Sequence, residues 1–383
     1  MTIVVKTGKF IASIIYSIIK LFPVKNKITL ISRQSNTPSI DFILLEEEIK
    51  RQNNKCKVVV LTKKMGNGLL EKVAYCLHML KQMYHIATSR GVIVDSYCIP
   101  ISIFKHRKNL IIIQVWHALG AIKKFGYASL GKEEGSSEQT AKLMDMHKNY
   151  TYVISGSKEM IPFFAEAFNV DKKIIKPYSM PRVDYLLNNK KNKSTEIKKK
   201  IFKEYEMLKR KKNILYAPTF RTDCPMQAED LIKNIDFEKY NLIIKKHPED
   251  KAKIESSKNI IVDKKFGVMD LLFVSDYLIS DYSAVAFEAS VLSVPMFFYV
   301  YDIEKYKNNR GLFVDYYREM PGIISKNAKD IINAIETNNY SDKKIEEFRK
   351  KYVSVLDATS TNKIINLLGV GEVKNAKIKD NIS

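Results

Sequence analysis

The sequence predicts an α/β protein of two domains, each with a parallel β-sheet covered by helices. Short apolar runs with few interruptions alternate with helical segments, as expected for strands buried on both faces of a parallel sheet. The chain has 383 residues, which suits two domains of about 150–200 residues each. An apolar content of 45% is enough for two packed cores.

The first predicted element is an N-terminal amphipathic helix within residues 1–24. Phe10, Ile14 and Ile18 recur at helical spacing, with lysines and serines elsewhere on the helix. The apolar run is shorter than the roughly 18–20 residues of a spanning helix, and no signal-peptide cleavage pattern follows it. Two interpretations stay open: the helix lies on an anionic membrane surface, or it packs on its own domain.

We expect the first domain to comprise residues 25–189 and the second domain to comprise residues 213–368. In the first domain we expect strands at residues 27–32, 57–61, 91–95, 110–116, 152–155 and 174–175, and helices at residues 40–51 and 69–88. In the second we expect strands at residues 213–217, 242–245, 260–262, 277–279 and 295–299, and helices at residues 328–337 and 343–352. Residues 190–212 are a basic, partly helical linker, and residues 369–383 a flexible tail.

The net charge points to an anionic partner. The 64 Lys and Arg against 42 Asp and Glu give a formal charge of +22, which favours a polyanion, an anionic membrane or a phosphorylated substrate. The four cysteines (Cys56, Cys76, Cys98 and Cys224) show no metal-binding spacing, so we expect buried free thiols in a reducing compartment and no metal site.

His117 is the first candidate for chemistry, because it follows the apolar run at residues 110–116 and precedes a glycine-containing loop. An imidazole at a strand end suits a general base, although a structural histidine is the alternative. The loop continues through Lys123 and Lys124, between Gly120 and Gly126, as an anion-friendly turn.

Three strand ends of the second domain carry groups suited to phosphate. Arg221 follows one strand, Lys245 and His247 follow the next, and Ser283 stands where a later strand meets a helix. Guanidinium groups, ammonium groups and helix N-termini all bind phosphate oxygens, so these residues predict a diphosphate site. A Tyr- and Asp-rich segment leading to Arg310 is either a loop over the cleft or an ordinary surface loop.

Taken together, these motifs resemble the CDP-glycerol glycerophosphotransferases of teichoic acid and capsule synthesis. The matching pieces, in order, are QVWHALGAIKKFGY, the turn Pro181-Arg182-x-Asp184, YAPTFR, IIKKHP, DYLISDYSAVAFEA, PMFFYVYDIEKY and RGLFVDYYREMPG. Their order and spacing make the resemblance specific.

The resemblance implies a GT-B type fold with two facing Rossmann-like domains, an N-terminal acceptor domain and a C-terminal CDP-donor domain. It also implies a cytoplasmic enzyme, peripheral on the inner face of the cell membrane. The enzyme would transfer glycerol-phosphate or ribitol-phosphate from CDP-glycerol or CDP-ribitol to a hydroxyl of a lipid-linked glycan acceptor, releasing CMP. The anionic membrane surface would be a partner, with no nucleic acid and no cofactor.

The resemblance also suggests roles for individual residues. His117 would be the general base and His247 the second functional histidine. The donor diphosphate and nucleotide would be bound by Thr219, Arg221, Lys245, Asp281, Ser283 and Glu288, the last at the ribose. Lys123, Lys124 and Arg310 would be acceptor or loop contacts.

The sequence departs from the family pattern at a few positions. Ala118 replaces a glycine, Ala284 replaces a serine and Glu288 replaces an aspartate. Later in the chain, Asp357-Ala358 replaces Asp-Gly. The choice between glycerol and ribitol, and between adding one unit and polymerising, stays open. A nucleotide-sugar glycosyltransferase and a basic nucleic-acid-binding protein are the alternative hypotheses, although the basic residues form no recognisable nucleic-acid-binding module.

Overall fold

The computed structural model describes residues 2–66, 68–191, 195–221, 225–247 and 250–371. It contains two parallel sheets with helices, as the sequence predicted, and each sheet has six strands, one more than predicted in the second. The predicted tail from residue 372 onward and Cys224 lie outside the described residues. Within the described residues, no helix combines the length and apolar character needed to cross a membrane.

The first sheet has the strand order β2-β1-β3-β4-β5-β6. Its strands are β1 (Lys27–Ser32), β2 (Lys57–Thr62), β3 (Gly91–Val94), β4 (Ile111–Gln114), β5 (Tyr152–Ile154) and β6 (Ile175–Lys176). The helices over this part of the chain are α1 (Thr2–Ile19), α2 (Ile40–Gln52), α3 (Leu69–Ala87), α4 (Ile99–Ile103), α5 (Glu138–Leu143), α6 (Ile161–Phe168) and α7 (Pro181–Lys191). Strands β1 and β3 are buried along their whole length, as continuous apolar runs require.

The second sheet has the order β12-β11-β10-β7-β8-β9. Its strands are β7 (Lys212–Tyr216), β8 (Tyr240–Ile244), β9 (Ile260–Val262), β10 (Tyr277–Ser280), β11 (Met296–Tyr299) and β12 (Ile323–Ser325). The helices are α8 (Glu196–Glu204), α9 (Glu229–Asn234), α10 (Val268–Leu272), α11 (Val285–Leu292), α12 (Ile303–Asn309), α13 (Tyr316–Glu319), α14 (Ala328–Glu336), α15 (Asp342–Tyr352) and α16 (Ser360–Asn366). Short 3₁₀ turns occur at Gly126–Ser129, Lys172–Ile174 and Glu206–Lys209.

The core of the second sheet comes from alternate strand residues packed under helices. Ile214, Leu242 and Ile279 point to the same buried cluster, which Ile331 of α14 helps to close. Because β10 lies between β7 and β11, the segment that follows it is central to the carboxyl edge of this sheet. That edge is where doubly wound folds bind ligands.

Contacts divide the chain into two compact units with different limits from the predicted domains. The first unit contains the chain up to Trp116, Leu143–Ile154 and the segment from Thr359. The second contains His117–Lys142 and Ser155–Ala358. The loop after β4 and the chain from residue 155 to 189 therefore share a unit with the second sheet, although we had placed them in the first domain.

The N-terminal helix is anchored to the first unit through one side. Tyr16 is 1% exposed, stacks on Phe104 with ring centroids 4.7 Å apart, and its hydroxyl lies 2.7 Å from Nδ1 of His106. On other sides of α1, Phe10 and Ile18 are 67% and 58% exposed. The helix thus packs on its own unit and also presents apolar side chains outward.

The thiols do not all match the expectation of burial. Cys56 and Cys98 are buried free cysteines, whereas Cys76 is exposed, so the prediction was wrong for Cys76. Its position explains the difference, because α3 turns only part of its surface to the unit and leaves Leu77 and Leu80 exposed beside Cys76.

Candidate active site

A cavity of about 650 Å³ opens at the carboxyl edge of the second sheet. It lies within the second unit, and the loops after β4, β7, β8 and β10 contribute to its wall. Its lining residues are Lys123, Glu133, Glu134, Pro218, Thr219, Phe220, His247, Ser283, Tyr306 and Arg310. Five of these, Lys123, Thr219, His247, Ser283 and Arg310, were predicted as site residues from the sequence.

Thr219 is fixed in the wall by the loop after β10. Its backbone N–H donates to Oδ1 of Asp281 at 2.8 Å, so one carboxylate ties the loop after β7 to the loop after β10. The Thr219 hydroxyl is buried and has no hydrogen-bond partner among the described residues. A buried hydroxyl without a partner is unfavourable, and a polar ligand atom in the cavity would satisfy it.

Arg221 does not line the cavity, because its guanidinium is held behind the wall. Nε and Nη2 donate to the two carboxylate oxygens of Asp302 at 2.5 and 2.9 Å, and Nη1 lies 2.8 Å from Oδ2 of Asp281. The guanidinium also lies 4.5 Å from the ring centroid of Tyr301. The residue is 4% exposed, so the structure shows it as a buried clamp between two carboxylates.

The charges around Arg221 determine its protonation. Burial alone would lower the pKa of the guanidinium, but hydrogen bonds to Asp302 and the charge of Asp281 more than offset burial and raise this pKa above its ordinary value. Arg221 therefore stays charged, and its charge is matched by two carboxylates inside the protein.

Lys245 is engaged in a similar way. Its Nζ donates to Oδ2 of Asp263 at 2.7 Å and to the carbonyl of Phe266 at 2.5 Å. It is not among the residues that line the cavity. The predicted contacts of Lys245 and Arg221 with a diphosphate therefore stay predictions, and in the described state both cations bind protein oxygens.

His247 lies at the outer part of the cavity and is exposed. Its ring stacks on Phe220, with centroids 4.6 Å apart and an interplanar angle of 25°. Phe220 also lines the cavity, so the loops after β7 and β8 present one aromatic and one imidazole face together. This pairing fixes the plane of the imidazole.

Ser283 precedes the helix that the sequence placed at this point. Helix α11 begins at Val285, two residues beyond Ser283, and the Ser283 hydroxyl accepts from the Val285 N–H at 3.4 Å. The hydroxyl lines the cavity, whereas the neighbouring Asp281 is 1% exposed and supports the loop from inside.

Lys123 and Arg310 line the cavity from two segments that are far apart in the sequence and are joined by backbone hydrogen bonds. Lys123 forms an antiparallel bridge with Leu312, flanked by hydrogen bonds from Phe313 N–H to Ile122 O at 2.8 Å and from Lys124 N–H to Gly311 O at 3.0 Å. Burial, together with the charge of Arg310, lowers the pKa of Lys123 to about 8, while Asp281 and Glu134 act in the opposite direction.

Arg310 has its own carboxylate partner. Its Nη1 donates to Oε2 of Glu134 at 3.1 Å, and its Nε donates to the carbonyl of Lys124 at 2.9 Å. The side chain of Lys124 lies 3.6 Å from Oε1 of Glu166 and does not line the cavity.

Besides Arg221, Lys245, Asp281 and Lys124, two further predicted residues lie outside the cavity lining. Glu288 is buried in α11, where its Oε1 accepts from Nη1 of Arg182 at 3.0 Å. His117 is half-buried and begins the first segment of the second unit, directly after Trp116, whose backbone has a φ of 60°. The proposed roles of His117 as base and of Glu288 at the ribose stay predictions.

Sequence reasoning missed the other five lining residues, which are Glu133, Glu134, Pro218, Phe220 and Tyr306. The acidic pair lies in a polar loop that does not directly follow a strand. Its position in the sequence therefore did not indicate that it lies at the edge of a sheet. Tyr306 lies in a segment already noted for its tyrosines, and its ring stacks on Tyr282 at 3.9 Å. In the described part of the chain, no cluster of three or more His, Cys, Asp or Glu side chains is placed to hold a metal ion.

Comparisons with known proteins identify the family of the chain. A family model described as CDP-glycerol:poly(glycerophosphate) glycerophosphotransferase matches residues 14–369. The chain is 33% identical to the teichoic acid ribitol-phosphate primase of Bacillus spizizenii, over 91% of this chain and 92% of that protein. It is 31% identical to the teichoic acid glycerol-phosphate primase of Bacillus subtilis, over 90% of this chain and 92% of that protein.

A solved structure shares the fold. The wall teichoic acid polymerase TagF superimposes with a TM-score of 0.75 at 20% identity, over 95% of this chain and 96% of that one. This likeness confirms the predicted GT-B type architecture, and the family match extends over most of the sequence. The chain belongs to the CDP-glycerol:poly(glycerophosphate) glycerophosphotransferase family.

Proposed function

We propose that the protein transfers glycerol-phosphate or ribitol-phosphate from a CDP-activated donor to a hydroxyl of a lipid-linked acceptor and releases CMP. The observation that carries this proposal is the cavity that brings Thr219, His247 and Ser283 together with Lys123 and Arg310. The named relatives are primases of teichoic acid synthesis, which supports a polyol phosphate as the transferred group.

The chemistry of the lining residues suits phosphoryl transfer. This reaction depends on positioning the nucleophile and on stabilising charge at the transferred and leaving phosphates. Lys123, Arg310 and His247 provide positive or polar donors, and Ser283 and Thr219 add hydroxyls. His117 is our candidate for the base that takes the proton from the acceptor hydroxyl.

The polyol is tested by measuring CMP release from CDP-glycerol and from CDP-ribitol with a lipid-linked acceptor. The chain is 33% identical to a ribitol-phosphate primase and 31% identical to a glycerol-phosphate primase. These values are nearly equal, so they do not distinguish between the two polyols. Release of CMP from either donor supports the proposal and identifies the polyol. Release of a nucleoside diphosphate from a nucleotide sugar, with no CMP from either CDP-polyol, would favour the glycosyltransferase hypothesis instead.

We further propose that the protein works at the inner face of the cell membrane. Helix α1 carries exposed apolar side chains, and two of them, Phe10 and Ile14, line a groove on that helix. Leu77 and Leu80 of α3 are also exposed, and together with other residues of α1 they line a second, apolar groove. Apolar side chains with lysines around them suit the interface of an anionic bilayer, where the acceptor lipid would also be.

A further inference from the structure

If the protein has the proposed function, the cavity needs a cation that binds the donor phosphates. The two cations expected for this role from the sequence, Arg221 and Lys245, are already bound to carboxylates of the protein. Arg221 is paired with Asp281 and Asp302, and Lys245 is paired with Asp263. Releasing either cation to a ligand would leave a buried carboxylate without its partner, which is strongly unfavourable. Neither side chain lines the cavity in the described state.

The remaining basic side chains of the lining differ in their partners. Arg310 is bound to Glu134, with Nη1 and Oε2 3.1 Å apart. His247 is exposed at the outer part, stacked on Phe220. Lys123 is half-buried, and among the described residues no hydrogen bond or ion pair engages its ammonium group.

The backbone at Lys123 is also held in place. The bridge to Leu312 and the hydrogen bonds on either side fix the start of the side chain, so fewer conformations are lost when a ligand binds. Thr219, which lines the same cavity, keeps a buried hydroxyl with no partner among the described residues. A cation and a hydroxyl, both lacking partners and both lining one cavity, match the oxygens of a phosphate group.

We propose that Lys123 is the side chain that binds the phosphate groups of the CDP-polyol donor. Arg221 is then a positioning residue, which holds Asp281 and through it the Thr219 backbone. The assignment changes the expected role of Lys123 from an acceptor or loop contact to a donor contact. It rests on the proposed function, since it takes the donor to be a nucleoside diphosphate derivative.

The first test measures binding of CDP and of cytidine by calorimetry or ligand-observed NMR, using the full-length protein. Lys123→Met should weaken CDP binding by about 10- to 100-fold, the usual effect of losing a charged hydrogen bond. Cytidine, which has no phosphate, should bind the variant and the wild type equally. Lys233→Met is the matched control, because Lys233 is exposed in the same unit and lies outside the cavity lining.

The second test uses pH, because burial and the charge of Arg310 lower the pKa of Lys123 to about 8. The charged groups facing this ammonium are Arg310, Glu134, Asp281 and Arg221. Burial raises the pKa of Tyr306 far above its ordinary value, so Tyr306 does not titrate in the range used. CDP phosphates are fully ionised above pH 7.5, where the titration series begins.

A lysine that is protonated only in part binds an anion less well, so the affinity of the wild type for CDP should fall as the pH rises above about 8. The fall approaches tenfold per pH unit until the lysine of the complex also deprotonates. Lys123→Arg keeps its charge, so its affinity should stay constant to pH 9.5. Lys123→Met should bind weakly at every pH.

The outcomes separate the two proposals. Wild-type binding of CDP with unchanged affinity in Lys123→Met would overturn the assignment of Lys123 alone. An equal loss of CDP and cytidine binding would also overturn it, because the variant would then have disturbed the cavity as a whole. Failure of the wild type to bind CDP at all would overturn the proposed function and the assignment together. Thermal unfolding of Lys123→Met should occur at or above the wild-type temperature, since the variant removes a half-buried charge that has no ion-pair partner among the described residues.

Discussion

Arg221 joins two carboxylates that would otherwise repel each other at the carboxyl edge of the second sheet. Its guanidinium binds Asp302 through two nitrogens and lies 2.8 Å from Asp281. Arg221 and Asp281 are almost completely buried, with side-chain exposures of 3% and 1%, whereas the side chain of Asp302 is 16% exposed. Removing one charge from a buried ion pair costs more free energy of unfolding than removing one charge from an exposed ion pair.

We therefore predict that Arg221→Met lowers the free energy of unfolding by about 3–5 kcal/mol, because the buried carboxylate of Asp281 and the partly buried carboxylate of Asp302 lose their counter-charge. Denaturant-induced unfolding measures this change. Lys199→Met removes an exposed partner of Glu196 and should change the free energy of unfolding by less than about 1 kcal/mol. Wild-type stability of Arg221→Met together with lost CDP binding would show that Arg221 serves the ligand directly.

For His117, the prediction concerns catalysis rather than binding. His117→Ala should lower kcat by about 10²–10⁴-fold, the usual contribution of a general base, while the affinity for CDP changes little. Single-turnover CMP release and CDP binding measure the two effects separately. Near-normal turnover by a variant that folds like the wild type would exclude His117 as the base.

At the scale of elements, the loop after β4 depends on close contact with helix α11. A Cβ atom at Gly120 would lie 2.6 Å from the ring of Phe287, which stacks in turn on Phe348 at 5.3 Å. Both rings are buried and have little freedom to move aside. This contact positions the loop that carries His117 and Lys123.

Gly120→Ala should therefore lower the free energy of unfolding by about 1–3 kcal/mol, the usual effect of overpacking a buried contact. Thermal or denaturant unfolding is the measurement. Gly8→Ala is the control, because a Cβ at Gly8 in α1 meets no atom within 4 Å and alanine favours helix formation. Equal stability of the two variants would show that the loop adjusts freely.

Most elements could be predicted because they carry strong local signals. Strand β1 and strand β9 have the predicted limits, and helix α2 differs from its prediction by one residue. Strand β12 was missed, since it has three residues, each only partly buried, and follows a proline-glycine turn. Helix α16 was missed because its seven residues are mostly polar and have no side-chain cap.

Site residues could be predicted from the sequence where they lie just beyond the end of a strand. Thr219 and His247 each lie three residues beyond the end of a strand, and both line the cavity. The partners of charged groups were not predictable, because they come from distant segments. Asp302 lies 81 residues beyond Arg221, and Leu312 bridges to Lys123 across an even longer interval, so pattern alone could not show which cations were already paired.

At the scale of the whole molecule, the formal charge of +22 should make membrane binding sensitive to salt. We predict that binding to vesicles containing anionic lipid decreases strongly between 50 and 500 mM salt, on the order of tenfold or more. Vesicle sedimentation measures it, with neutral vesicles and DNA as comparisons. Binding to DNA alone would contradict the membrane proposal and favour the nucleic-acid hypothesis.

The apolar part of the same interaction can be tested separately. Phe10→Glu and Ile14→Glu place charges on the exposed face of α1, and we expect each to weaken vesicle binding several-fold without changing thermal stability. Tyr16→Glu should instead destabilise the protein, since Tyr16 is buried against Phe104. Unchanged vesicle binding by both exposed-face variants would exclude α1 as the membrane contact.

Helix α16 has a consequence for how the chain acquires its structure during synthesis. Asn362 donates to Glu48 of α2 at 2.8 Å, and Arg90 donates to the carbonyl of Gly369 at 2.7 Å, so this segment belongs to the same unit as α2, which is synthesised long before it. On the ribosome, α2 stays uncovered on this side until α16 has left the exit tunnel. A nascent chain stalled before α16 would expose this surface to chaperones, and its first unit would be completed only when α16 emerges.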